Sequence, residues 1–557
     1  MRRLATYDDR DSAATLITAR TIHTVDEQNP RAEAMLTAGG MIIAVGSRDE
    51  VEQAAAAAGL DPIRIDHPDA TVVPGFIDAH AHPLMYGQLL TWVDVGPDEA
   101  GSIPEIVELM RERAATLPAG VPVRGFGYEQ RNLVEKRHPT RHELDQIATD
   151  REVYIMNASG HGGVVNTFTL ARYGITRDTP NPEGGEFFRD ADGELTGELS
   201  DAACNVLTGL HGVKVGHHGP NFHLADAPAE HQRQLGHVQR EFLAGGVTAI
   251  GDAQVSQREF AAYLELADRG ALHVRVSMYF LSHLLDQVIE LGLTGPFGNA
   301  FLSFAGIKLY ADGTLGGWTA YFPEGYVGDP CRTGQLYHEP AEYAELVSKA
   351  HAAGLQTATH AQSPVAIKMV VDAVEQALAD TPDADARHRI EHCGLPTPDD
   401  IARMARLGMR PVNQTQHYYN WGEGVEQAIG TPGERFNPLG EFRDAGVPIT
   451  ISSDAPVAEP RPLEAIQAAV TRVTRRGHKL GPDTLCISAA DALRAHTLEG
   501  ATSIGRENEL GSLTVGKRAD FVILGGDPLA VPAEQIAEIP VLETWVDGTV
   551  KYRTDGR

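Results

Sequence analysis

The chain has 557 residues, enough for one large domain with a smaller companion or for two to three domains. A hydrophobic share of 42% and a charged share of 22% suit a globular fold, and a formal net charge of -29 opposes binding to nucleic acid or an anionic membrane. No run of about 18 apolar residues marks a transmembrane helix. Arg2 and Arg3 are not followed by the apolar stretch of a secretory signal. Cys204, Cys331, Cys393 and Cys486 are too scattered for a disulfide framework or a Cys-x-x-Cys site. The expectation is a cytoplasmic protein acting on a small molecule, with a homodimer as the default assembly.

Strand-like runs come first, at residues 14–23 and 34–45, the second broken by the hairpin signal Gly39-Gly40. The alanine run at 54–58 reads as a helix. Residues 71–79 are an apolar strand that ends at His80 and His82. Residues 95–240 are too long for one crossover and form an insertion, read as a cap over a barrel mouth. The insertion holds a strand at 153–156, the segment Ser159-Gly160-His161 and a hairpin at 183–197. It also contains His217 and His218, read as part of an exposed loop.

Seven further strands follow at 247–252, 274–280, 303–310, 355–360, 387–393, 409–414 and 447–454. Helices at 340–353, 364–379 and 398–407 separate several of them, each opened by proline. Eight strands alternating with helices predict an α/β fold, a (β/α)8 TIM barrel. The last strands, at 519–524 and 541–552 with the turn Asp547-Gly548, cannot bury a core alone, and neither can the first ones. Both chain ends are therefore expected to form one small β-sandwich. The resulting boundaries are 1–74 and 501–557 for the sandwich and 75–500 for the barrel with its insertion.

The chemistry-bearing residues stand at strand ends, where a parallel barrel carries its functional groups. Side chains at i and i+2 of a strand share a face, so His80 and His82 aim at one point, as a divalent metal requires. Lys308, His360, His392 and Asp454 occupy the same relative place on later strands. Glu391 is read as facing away from His392 in a structural ion pair, and Asp312 as part of a βα turn. Trp318, His417 and Tyr418 lie just past strand ends as candidate substrate contacts, and Glu198 and Asp201 are weaker candidates within the insertion.

The stretches 74–82, 159–166, 307–314, 389–392, 453–457 and 511–520 together resemble the amidohydrolase superfamily, and within it family 3, which includes N-substituted formamide deformylase. The resemblance runs from about residue 13 to the C-terminus and supports the β-sandwich. It implies that His80, His82 and Asp454 hold the more buried of two metal ions, and His360 and His392 the more exposed one. It also implies that Lys308 is carbamylated and bridges the ions. Zn2+ is expected from the histidine donors, with Mn2+ or Fe2+ as alternatives. The implied activity is hydrolysis of a carbon–nitrogen bond in a small non-peptide amide, with Asp454 as proton shuttle and His161 as a donor to the developing oxyanion.

Alternatives are a metal-dependent decarboxylase, or a hydrolase of an ester, lactone or cyclic amide. A phosphotriesterase-like activity and a non-catalytic, metal-stabilised binding protein are weaker readings. The chain departs from the family pattern at His360-Ala-Gln-Ser-Pro364, where the usual Asp is missing, and at Gly317-Trp318-Thr-Ala320. The second departure suggests that a bulky substrate group is accommodated.

Overall fold

The structure, a computed structural model, describes residues 14–554 except 131, 159, 161, 183, 209–212, 220–223, 225, 295, 296 and 384. The chain divides into two compact units, Met1–Pro83 with Leu235–Arg557, and Leu84–Gln234.

In the first unit eight parallel strands pair in chain order. They are β1 Phe76–Ala81, β2 Val247–Val255, β3 Arg275–Leu281, β4 Leu302–Tyr310, β5 Gln356–Ala361, β6 Arg389–His392, β7 Arg410–Asn413 and β8 Thr450–Ile451. Strands β2, β3 and β4 are buried along their whole length, as parallel strands covered on both faces must be. Helices Pro340–Ala352, Pro364–Asp380 and Pro398–Leu407 begin with proline, which gives up no helical hydrogen bond there. Ser363 and Thr397 cap the second and third. No helix among the described residues is long and apolar enough to cross a membrane.

The ladder is open between β8 and β1, but four bonds span the gap. Asp454 N donates to His80 O at 2.9 Å, and His82 N donates to Ala455 O at 2.8 Å. Asp78 accepts from Ser453 N at 2.9 Å and from Ser453 Oγ at 2.5 Å. The barrel is thus nearly closed, and its seam lies at the outgoing end of β1.

The apolar run expected as one strand at 71–79 is two. Ile63–Pro74 pairs in parallel with Thr15–His23 and antiparallel with Phe521–Leu524, and only after Gly75 does the chain enter the barrel. A Cβ on Gly75 would stand 2.2 Å from Thr248 Oγ1 on β2, so a side chain there would collide with the barrel wall.

The chain ends meet in one continuous sheet of seven strands rather than in two separate sheets. Its order is Thr549–Arg553, Val541–Val546, Phe521–Leu524, Ile63–Pro74, Thr15–His23, Arg31–Ala38, Met41–Gly46. Both expected hairpin turns have two residues with left-handed backbone, Gly39 and Gly40 (φ 57° and 75°) and Asp547 and Gly548 (φ 50° and 65°). Ile17, Met35, Val72, Phe521 and Trp545 share one apolar cluster, which is how neither end needs its own core. The sheet is tied to β3 by Arg275, wholly buried, which donates to Asp520 at 2.7 and 2.8 Å and to Asp547 at 2.5 Å.

The second unit has its own sheet of six strands, ordered Gly185–Arg189, Leu195–Asp201, Gly162–Val165, Val153–Asn157, Val123–Tyr128, Val93–Asp94. Alternation along Val153–Asn157 sends Tyr154 and Met156 into one apolar cluster and Val153 and Ile155 into another, so both faces are covered. His218 corrects the exposed-loop expectation: it is buried, with its Nε2 3.1 Å from Val213 O and 3.1 Å from Asn205 Nδ2.

Candidate metal centre

His80 and His82 leave β1 on the same face, with ring centroids 5.1 Å apart. Their Nε2 atoms lie 3.3 and 3.0 Å from Asp454 Oδ1. Asp454, His392 and Cys393 all have left-handed backbone, with φ of 60°, 67° and 44°. Such conformations in non-glycine residues cost about 1–3 kcal/mol each and persist where the surroundings fix them.

At β6 the consequence is specific. Regular alternation would turn Glu391 and His392 to opposite faces. With the left-handed turn, both reach His80: Glu391 accepts from His80 Nδ1, and the His392 ring lies 5.1 Å from the His80 ring. The reading of Glu391 as facing away, with only a structural ion pair, is therefore corrected.

The ion pair itself is present. Arg389, on the same face of β6, donates to Glu391 through Nε and Nη2 at 2.7 Å each, to the Ala79 carbonyl at 2.9 Å, and through Nη1 to Tyr279 OH at 2.7 Å. Burial favours the protonated Glu391, but the Arg389 guanidinium overcomes it and holds the carboxyl far below the usual range. An ionised Glu391 fixes the proton of His80 on Nδ1 and leaves the Nε2 lone pair facing Asp454. His392 is set in the same manner, its Nδ1 2.7 Å from Gln414 Oε1, while Gln414 Nε2 donates to Ser452 Oγ at 2.9 Å.

Above these bonded groups, several buried polar atoms have no hydrogen-bond partner: Lys308 Nζ, His80 Nε2, His82 Nδ1 and His417 Nε2. Burial lowers Lys308 to about 8, against the pull of Glu391 and Asp454. Burial likewise pushes His82 and His417 down to about 4 and His392 well below its ordinary value, although Asp454 pulls each the other way. Burial raises Asp454, but the histidines around it prevail and hold it well below the usual carboxylate range. Neutral imidazoles around an ionised carboxylate are the donor set that a divalent transition metal takes. His80, His82 and Asp454 bring ligand atoms within 4.8 Å of one another, and so do His392, His417 and Asp454. The residues present therefore fit such an ion.

The His360 ring is 4.5 Å from the His392 ring, and its Nε2–H donates to Gly313 O at 2.9 Å. The structure thus gathers His80, His82, Lys308, His360, His392 and Asp454 into one neighbourhood. His417 joins the carboxylate itself, 3.6 Å from Asp454 Oδ2.

Tyr418 does not join it. Its hydroxyl donates to Ala468 O at 2.8 Å, Arg472 sits 4.5 Å over its ring, and it packs with Val425, Phe436 and Leu480 as a core residue. Trp318 stacks on Tyr326 at 5.3 Å with Arg332 above it, so its ring is engaged by its own loop. Asp312 is wholly buried. It accepts from the backbone of Gln362, Ser363 and Tyr321 at 2.9, 3.0 and 3.2 Å, anchoring the departing segment after His360. Burial lifts Asp312 to about 6 despite those bonds. In the second unit Glu198 lies 3.5 Å from His138, and burial raises it to about 7. His161 lies outside the described residues.

Sequence reasoning missed Asp78 and Gln414. Asp78 was within reach of it, since Asp78, His80 and His82 share one face of a strand by the same i, i+2 rule.

Three comparisons bear on this site. A model described as the amidohydrolase family, in its family 3, matches residues 65–552. N-substituted formamide deformylase from Arthrobacter pascens is 31% identical, over 96% of this chain and 97% of its own length. Among solved structures, an uncharacterized metal-dependent hydrolase from Pyrococcus horikoshii OT3 superposes with a TM-score of 0.76 at 25% identity, over 94% of this chain and 99% of that one. The zinc complex of atrazine chlorohydrolase from Arthrobacter aurescens TC1 shares the fold, with a TM-score of 0.51 at 15% identity over 97% and 95% of the two chains.

Proposed function

The chain belongs to the amidohydrolase family, and on that premise we propose that it hydrolyses a carbon–nitrogen bond in a small non-peptide amide. Substituted formamides are the first class to try, since the deformylase from Arthrobacter pascens is similar over nearly its full length. The observation that carries the reading is the group of buried polar atoms without a hydrogen-bond partner around one ionised carboxylate, Lys308 Nζ, His80 Nε2, His82 Nδ1 and His417 Nε2.

His80, His82 and Asp454 would hold one divalent ion, and His360 and His392 a second. Zn2+ is the best match to this donor set, with Mn2+ or Fe2+ as alternatives. An ion held there supplies Lewis-acid polarisation of a carbonyl and an activated water. Lys308, lowered to about 8, has a fraction of free amine near neutral pH. That amine could add to CO2, forming an N–C bond and losing a proton, and the carbamate would replace a buried cation with an anionic ligand. Asp454 accepts the proton of the attacking water on its carboxylate and delivers it to the departing amine. Glu391 and Gln414 keep the ring nitrogens of His80 and His392 aimed during this exchange.

Metal content per chain, measured on freshly purified protein with His80→Ala alongside, tests the site. Two divalent ions, reduced in the variant, support it. One ion removes the carbamate bridge. No ion after reconstitution removes the hydrolase reading. A panel of N-substituted formamides and N-acyl amines then tests the reaction: amine plus carboxylate supports amide hydrolysis, and CO2 release identifies a decarboxylase instead.

A further inference from the structure

His417 lies in the first turn of the helix Thr415–Ile429, directly after β7. One face of that helix is fixed by Tyr418, bonded to Ala468 and covered by Arg472. With Tyr418 held there, His417 faces the cluster. Its ring is nearly parallel to that of His392, with centroids 5.9 Å apart and planes 20° apart, and it lies 4.8 Å from Trp421 one turn later. His417 is 4% exposed, and its Nε2 has no hydrogen-bond partner.

Asp454 sits between two histidine pairs. Oδ1 faces His80 and His82 at 3.3 and 3.0 Å, and Oδ2 faces His417 Nε2 at 3.6 Å, while the His392 ring comes within 3.9 Å of Oδ2 through Nδ1, which donates to Gln414 and leaves Nε2 as the atom to take a cation. Ligand atoms of His392, His417 and Asp454 lie within 4.8 Å of one another, as do those of His80, His82 and Asp454. A buried imidazole nitrogen at this distance is too far for a direct hydrogen bond to the carboxylate. It is placed to share a cation with it.

We propose that His417 is a metal ligand, which with His392 and Asp454 completes a second cation site for a zinc-like divalent ion. This inference rests on the reading that the cluster binds metal, and it adds to that reading a donor from the segment after β7. The set of two imidazoles and a carboxylate oxygen suits borderline ions such as Zn2+ and Co2+ over Mg2+ or Ca2+.

The test is titration of the metal-free full-length protein with Co2+, read by visible absorption and by bound metal after gel filtration. Wild type, His417→Phe and His417→Gln are compared. Phenylalanine keeps a ring against His392 and Trp421 without a donor nitrogen, and glutamine keeps polarity without the imidazole. Thermal melting of each metal-free variant establishes that it folds. The expected result is two Co2+ in wild type, and in both variants one ion retained while the second binds at least tenfold more weakly, with a changed absorption band. Two ions bound with wild-type affinity and spectrum in the folded variants overturn the proposal, including the case where only KM for an accepted amide rises. A wild-type protein that binds no ion overturns the underlying metal reading, an outcome visible before any variant is examined.

Discussion

The two sides of the metal cluster differ in one respect. On the floor, Arg389, Glu391, His80 Nδ1 and Tyr279 satisfy one another with short, direct bonds, and Gln414 accepts from His392 Nδ1. On the rim, Lys308 Nζ, His82 Nδ1 and His417 Nε2 are just as buried and bond to nothing. Buried polar groups in a folded protein are nearly all paired, so a concentration of unpaired ones marks the place where something from outside the chain is received. The floor is a fixed scaffold, and the rim carries the deficit that a ligand removes.

Acid distinguishes the two sides most strongly. The rim histidines His82 and His417 take up a proton only near pH 4, whereas the unfolded chain takes it up near 6.5. The unfolded state therefore binds more protons throughout that window, and the metal-free protein loses stability as pH falls from about 6.5 to 4, by a few kcal/mol in total. The floor enters only at the acid end of the window, because Glu391 stays ionised beside Arg389 while an unfolded glutamate begins to protonate there. Urea unfolding at a series of pH values checks this, and a flat profile across the window would contradict the burial of neutral histidines.

Substitutions extend the contrast. Asp454→Asn is expected to lower turnover by roughly 100- to 10,000-fold, the range for loss of a general acid–base group, with little change in melting temperature. Substantial activity in a metal-loaded Asp454→Asn protein removes it from proton transfer. Glu391→Gln strands the buried Arg389 charge and should destabilise the protein by about 3–5 kcal/mol in urea unfolding. Lys308→Met has the opposite sign: it removes a buried, unpaired ammonium and should stabilise the metal-free protein by about 1–3 kcal/mol while activity is lost. Trp318→Ala removes one stacked pair, worth about 0.5–1.5 kcal/mol in melting experiments. Unchanged kinetics on every accepted substrate would count against Trp318 as a specificity residue.

Much of this was legible in the sequence for local reasons. Alternating strands and proline-led helices write themselves into short windows, and so do histidines two residues apart at a strand end. What was not legible depended on distant partners or on backbone sign. Residues 71–79 are largely apolar, and the switch of sheets at Gly75 is made with distant partners, Gly75 N donating to Asp520 O and Phe76 N to Gly246 O. Glu391 was turned the wrong way because the positive φ of His392 leaves no mark in residue type. Tyr418 and His417 are adjacent and both aromatic in character, yet one helical position separates a core residue from one that faces the Asp454 carboxylate. The separate sheet of the insertion was hidden because its strands are short and widely spaced.

The seam between β8 and β1 has a consequence in time. The groups that span it, Asp78 with Ser453 and His80 with Asp454, are separated by some 370 residues of chain. During synthesis His80 and His82 emerge early and wait while most of the polypeptide is made, since the carboxylate they face does not yet exist. Pairing strands so far apart in sequence is intrinsically slow, because closure entropy is met before the contacts offset it. If Asp454 is a ligand as proposed, ion capture is a late event that follows completion of the ring of strands.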